Sequence, residues 1–240
     1  MPSPCRPSRI FGRAATLVIM LLAAATPSPA TELDDLLVRF DRVQDSIRTL
    51  SAEFTETTQS MLLKDEIVAQ GKVYLTKPAA VRWEYTTPEE MRFVIANDTY
   101  TGYFPVRKQA EQRDVQRWGE QLFRFLGIGQ TSDELARFYK IRIAEEETPE
   151  AGQVLLVLDP KKRRVRKRME SVRFWIDEET LLPARIEYRS HTGSNRLIEF
   201  NRIDINPDLA ASLYVMDLPA DVEISKGFSA LSGLSDSASN

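Results

Sequence analysis

The feature that most limits the fold of this chain is a hydrophobic period of two that begins at Ser51 and is broken repeatedly by turn residues. Ala52 and Phe54 alternate with Glu53, Thr55 and Thr57. Ile67-Ala69-Gly71-Val73-Leu75 alternates with Gln70 and Lys72, Val81-Trp83-Tyr85 with Arg82 and Glu84, and Met91-Phe93-Ile95 with Arg92. Tyr100–Phe104 and Gln109–Val115 continue the series, and Lys77-Pro78, Thr87-Pro88, Asn97-Asp98 and Pro105 fall between the runs. Alternate residues of a strand point to opposite faces, so this pattern predicts short antiparallel strands with one apolar and one polar face each. The pattern returns after Tyr139 at Ile141-Ile143, Val154–Leu158, Val172-Phe174-Ile176, Ile186-Tyr188 and Leu197–Ile205, with a hairpin turn at His191–Asn195. About six strands and then about five are expected.

Helical spacing brackets the first set. Leu33, Leu36, Leu37, Phe40, Val43, Ile47 and Leu50 recur at three- and four-residue steps, which predicts an amphipathic helix, with Thr31 and Asp34 placed as a capping box. Trp118, Leu122, Phe125 and Leu126 share a helical face, and Ser132 can cap a second short helix through Leu135 and Phe138. The economical solution is one antiparallel sheet with helices against one face.

Residues 1–30 read as a secretory signal: Arg6, Arg9 and Arg13, then the apolar run Ala14–Ala25, then Ser28-Pro29-Ala30 as a small-residue cleavage site. The rival, a transmembrane anchor, needs about 20 apolar residues, and this run is shorter. Cleavage after Ala30 is expected to leave an exported domain over 31–226 with a Ser/Gly/Ala-rich tail over 227–240 that frays. Cys5 lies upstream of the apolar run, so it is not placed for lipid modification at the cleavage point. Cleavage removes three arginines and no acids, taking the net charge from −3 to −6. That balance gives no general attraction to nucleic acid, and no nucleic-acid partner is expected.

The inventory argues against an enzyme. The single histidine, His191, sits in a polar Thr-Gly-Ser turn, no G-x-S-x-G is present, and the acids cluster as loop edges rather than as spaced metal ligands. No cofactor and no metal are expected. The loudest local feature is Lys161–Arg168, seven cations in eight residues. Arg163, Arg164, Arg166 and Arg168 either form a patch for lipid headgroups or an acidic partner, or are a solvated turn and strand edge whose charge blocks edge pairing. The strand aromatics either fill a core or line a cavity.

The block Gly71-Lys72-Val73-Tyr74-Leu75-Thr76-Lys77-Pro78-Ala79-Ala80-Val81-Arg82-Trp83-Glu84-Tyr85, preceded by Phe54-x-x-Thr57, resembles the LolA family of outer-membrane lipoprotein carriers. Asp159-Pro160-Lys161, Phe174-Trp175-Ile176-Asp177, Leu182-Pro183, Phe200-x-x-Ile203 and Asp217-Leu218-Pro219 support it, over roughly Thr31 to Ser225. The resemblance implies an incomplete antiparallel β-barrel with helices over its concave face as a lid. It also implies a monomeric periplasmic carrier that takes lipoprotein acyl chains from an inner-membrane ABC transporter to an outer-membrane receptor. Phe40, Phe54, Val73, Val81, Trp83, Tyr85, Phe93, Ile95 and Phe174 are the candidates for the apolar cavity.

The departures matter too. Lys77 stands where the family usually has an arginine that holds the lid, so a latch there should be weaker or absent. Glu56 replaces a usual Gln, Val81 a frequent Phe, and Asn97-Asp98 an Asp-Gly turn. A carrier or sensor of another amphiphile, such as a glycolipid, is the alternative cargo reading, and a closed protein-binding domain the alternative class.

Overall fold

A computed structural model describes residues 29–60, 65–78, 80–116, 129–145, 147–167 and 169–226. The expected signal sequence up to residue 28, the central helix at Trp118–Leu126, Arg168 and the tail 227–240 lie outside the described residues.

Helix α1 (Pro29–Ser46) leads into strands β1 (Thr49–Gln59), β2 (Ile67–Thr76), β3 (Ala80–Thr87), β4 (Met91–Ala96), β5 (Thr99–Phe104) and β6 (Gln109–Asp114). A short helix α2 (Ser132–Ala136) precedes β7 (Tyr139–Ile143) and β8 (Gln153–Pro160). A helical turn α3 (Arg163–Arg166) then precedes β9 (Met169–Asp177), β10 (Pro183–Ser190), β11 (Asn195–Ile205) and β12 (Glu223–Ser225). Among the described residues the strands form one sheet in the order β12-β6-β5-β4-β3-β2-β1-β11-β10-β9-β8-β7. Neighbours are antiparallel except β12, which lies parallel on β6. The ends do not pair with each other, so the barrel is incomplete, as expected. The central junction is β1 on β11, which brings the start and the end of the domain together.

The turn chemistry accounts for the meander. Asn97 and Asp98 both have positive φ (48° and 58°), the two-residue hairpin geometry that matches strand twist. Gly193, at φ 77°, closes the β10–β11 hairpin, where its N–H donates to the Ser190 carbonyl.

α1 buries Leu36, Phe40 and Gln44, and Ile47 just past its end continues the stripe into the apolar core. Each buried large apolar side chain is worth about 1.5–3 kcal/mol, so packing rather than helix propensity holds α1 in place.

Several local expectations are corrected. Thr31 lies within α1 (Pro29–Ser46), two residues after the first helical residue described, rather than at its start. The second helix is capped by Thr131, not Ser132, in a capping box with Glu134, and it ends before Phe138. There are twelve described strands rather than about eleven, because Glu223–Ser225 adds one beside β6.

The rule of one apolar face per strand also fails in places. In β5, Tyr100 and Phe104 are buried on the inner face while Thr101 and Tyr103 are buried on the outer one. The outer face is covered next door as well: the segment after β11 packs its 3₁₀ turn Ala211–Tyr214 across β3 and β4, where Val94 is buried. Arg82 fixes it by donating to the Leu213 carbonyl at 2.8 Å, and Thr76 Oγ1 meets the Tyr214 hydroxyl at 2.7 Å.

Candidate lipid-binding site

The inner wall grows from register. Val73, Trp83 and Phe93 are directly opposite one another across β2, β3 and β4, as are Leu75, Val81 and Ile95, so all six share a face. The rings then touch in series. Phe54 lies 4.7 Å from Trp83 and 5.2 Å from Tyr85, Tyr85 lies 6.0 Å from Phe93, and Phe93 lies 5.8 Å from Phe104. Phe174 joins the same face from the other half of the sheet, through the row Leu156–Phe174–Ile186–Ile198–Glu56. Phe40 of α1 is buried in the same apolar cluster. Eight of the nine cavity candidates fall on this sheet face and the ninth on the helix above it. Seven are buried, whereas Phe93 and Ile95 are only half-buried.

Gly71 makes the wall possible. A Cβ there would lie 1.8 Å from the Glu84 carbonyl oxygen and 2.7 Å from the Phe54 ring. The strand pairing slips by one residue at Gln70–Gly71, and only a residue without a side chain allows Phe54 to lie over the backbone there.

α1 is attached to this wall at a polar node that sequence reading missed. Gln44 falls four residues after Phe40, on the apolar stripe, and is fully buried. Its side-chain oxygen accepts from the Gly129 N–H at 2.7 Å, and its side-chain nitrogen donates to the Leu181 carbonyl at 3.3 Å. Its backbone carbonyl accepts from Lys77 Nζ at 2.7 Å. Lys77 thus reaches α1 through one ammonium donor, where an arginine would offer a planar fork. Burial pulls the Lys77 pKa down, against the raising effect of Asp45 and Glu134 nearby. Asp41, one turn earlier, accepts from the Ser132 N–H at 2.5 Å and its hydroxyl at 2.6 Å, binding α1 to the start of α2. The only signal for either residue was a polar side chain beside or on an otherwise greasy stripe.

A second polar group lies within the wall. Glu56 Oε2 accepts from the Tyr85 hydroxyl at 2.7 Å and from Arg196 Nη2 at 2.6 Å, and Nη2 also reaches the Tyr85 hydroxyl at 3.0 Å. Burial raises the Tyr85 pKa well above the usual tyrosine value. Burial alone would lower that of Arg196, yet Tyr85 and Glu56 hold it above its ordinary value, so the guanidinium stays charged. Sequence reading noted Glu56 but not its partner, which lies 140 residues away.

The described part of the basic run, Lys161–Lys167, is neither a strand nor a sheet edge. It forms α3, the connection between β8 and β9, because the edge position belongs to β7. Arg163, Arg164 and Arg166 are exposed, while Lys161 donates to the Ala136 carbonyl and Lys162 lies 5.7 Å from the Phe138 ring centre. None of them contributes to the inner wall.

Fold and site together define a class: an open antiparallel sheet whose apolar inner face is covered by a helix fastened at a few polar points. The chain belongs to the LolA family, described as outer membrane lipoprotein carrier protein LolA, whose model matches residues 45–217. It is 24% identical over 210 residues to an outer-membrane lipoprotein carrier protein of Chromohalobacter salexigens, covering 88% of this chain and 92% of that one. A solved structure of an uncharacterized conserved protein from Thermus thermophilus shares the fold, with a TM-score of 0.52 and 13% identity over 81% of this chain and 98% of that one.

Proposed function

We propose that this chain is a periplasmic carrier that shelters the acyl chains of a lipoprotein between α1 and the inner face of the sheet. It takes them from an inner-membrane transporter and delivers them to an outer-membrane acceptor. The observation that carries the reading is the continuous aromatic row Trp83–Phe54–Tyr85–Phe93, buried at one end and half-open at Phe93 and Ile95. An acyl chain in water costs about 0.8 kcal/mol per CH₂, which an apolar wall of this kind offsets. Delivery requires that the acceptor bind the cargo more tightly than the carrier does, and a cover held by a few hydrogen bonds is suited to that. The family is one of carriers, and the reading asks for no catalysis.

Titration of the mature protein with an apolar fluorophore, followed by displacement with a triacylated lipopeptide, tests the proposal. Saturable binding and displacement support it, and no saturable binding overturns it. The charged pair Glu56–Arg196 inside the wall favours a second cargo, an amphiphile such as a glycolipid. Mass spectrometry of copurifying lipid separates the two, since recovery of free glycolipid and never lipoprotein would favour the second.

A further inference from the structure

A salt bridge in the middle of an acyl-binding wall needs a reason. Glu56 and Arg196 sit on β1 and β11, adjacent strands in the interior of the sheet, and both face inward. Glu56 lies across from Ala69 and Ile198, and Arg196 across from Tyr188, all three buried in the apolar core. The pair is largely but not wholly buried, the Arg196 side chain 24% and the Glu56 side chain 12% exposed, and an ion pair so desolvated recovers little more than its desolvation cost, so stability does not explain placing one here.

The pair also leaves hydrogen-bonding capacity unused. Arg196 spends Nη2 on Glu56 and Tyr85, while Nε is buried with no acceptor among the described residues. Trp83, two residues before Tyr85 on the same face of β3, likewise has a buried Nε1 with no acceptor among the described residues. Buried indole and guanidinium donors ordinarily find partners, and two orphans on one face of an apolar wall point to an acceptor supplied from elsewhere.

The charge balance narrows the chemistry of that acceptor. Glu56 neutralises Arg196, so the site carries no net charge to draw in a phosphate or carboxylate, and an anion beside Arg196 would also face the Glu56 carboxylate. A neutral oxygen suits the donors: the carbonyl of an acyl ester. Building on the carrier reading above, we infer that Arg196, held in place by Glu56 and Tyr85, with Trp83 as a second donor, hydrogen-bonds the ester carbonyls of the cargo's acyl chains and so distinguishes acylated lipids from plain hydrocarbon.

The test compares two probes that differ only in those carbonyls. A diacyl and a dialkyl-ether glycerolipid with the same headgroup and chain length are used to displace an apolar fluorophore from the mature protein. The variants are Arg196→Met, Trp83→Phe, and the double variant Glu56→Leu with Arg196→Met, which removes both charges in case a lone Glu56 impairs folding. The wild type is expected to prefer the ester by about three- to tenfold, the effect of one or two net hydrogen bonds. Arg196→Met and the double variant should bring the two affinities together by weakening ester binding more than ether binding, and Trp83→Phe, which also trims the wall and so weakens both lipids, should narrow the ratio in part. Equal ester and ether affinity in the wild type overturns the inference, as does a preference that survives in the folded double variant; neither result touches the carrier reading. Failure of the wild type to bind either lipid overturns both.

Discussion

Lys77 Nζ donates to the backbone carbonyl of Gln44 at 2.7 Å, joining the end of β2 to the last turn of α1. That carbonyl lies in the last turn of the helix, where it also accepts from the Ile47 N–H at 3.3 Å and where a cation is favourable. Lys77→Met should cost about 1 kcal/mol, the lower range for a charged hydrogen bond that is partly exposed to solvent. Faster hydrogen exchange confined to α1 and the Gly129 segment, at near-wild-type unfolding of the sheet, is the expected reading. Lys77→Arg should slow that exchange, since a planar fork offers more donors to the same node.

Gln44 is the deeper fastening. Gln44→Leu keeps the volume but strands the Gly129 N–H and the Leu181 carbonyl. A loss of about 2–3 kcal/mol in urea unfolding is expected, more than for Lys77→Met, because buried groups lose partners. An equal or smaller loss would contradict the node.

Gly71→Ala should be among the most damaging single-methyl changes in the domain. The added carbon would overlap the Glu84 carbonyl, and neither backbone nor Phe54 can move away without opening the β2–β3 pairing. A destabilisation of about 3 kcal/mol or more is expected by thermal or urea melting, at the upper end for overpacking.

Phe93 is half-buried, so it can be altered without emptying the core. Phe93→Asp should weaken apolar-fluorophore binding at least tenfold, a loss of about 1.4 kcal/mol or more, consistent with giving up most of one aromatic contact. Arg166→Ala, on exposed α3, should leave that affinity unchanged. Equal losses would move the contact from the wall to the basic turn.

Asp177 accepts from the Thr180 N–H and hydroxyl, both at 2.8 Å, shaping the turn that presents Leu181 to Gln44. Those bonds hold its carboxyl below the usual value of 3.8. A carboxyl depressed in the folded state contributes stability that is complete above the unfolded value and lost as pH falls through the folded one. Asp177→Asn should therefore lower stability at neutral pH and flatten the fall below about pH 4, read from urea midpoints across pH 2–7.

Much of the wall was legible beforehand. Val81, Trp83 and Tyr85 alternate with charged residues, and period two by itself puts them on one face. Asn97-Asp98 announced its turn because few other residue pairs tolerate two positive φ values. Thr131 was missed as a cap because Ser132 beside it is an equally good candidate by type, and only the reach to Glu134 distinguishes them. β5 was misjudged because Thr101 and Tyr103 are amphipathic enough to suit either a wet or a covered face.

The order of residues settled what is local: where the chain is extended, where it turns, and which side of α1 is greasy. These follow from side-chain spacing and backbone sterics over a few positions, which no distant partner needs to supply. Tertiary structure decided which distant elements meet. Placing β11 beside β1 brought Arg196 to Glu56, and laying α1 over the sheet gave Gln44 its three partners. The reason is that a buried polar side chain is defined by the group that satisfies it, and strand order, not spacing along the chain, selects that group.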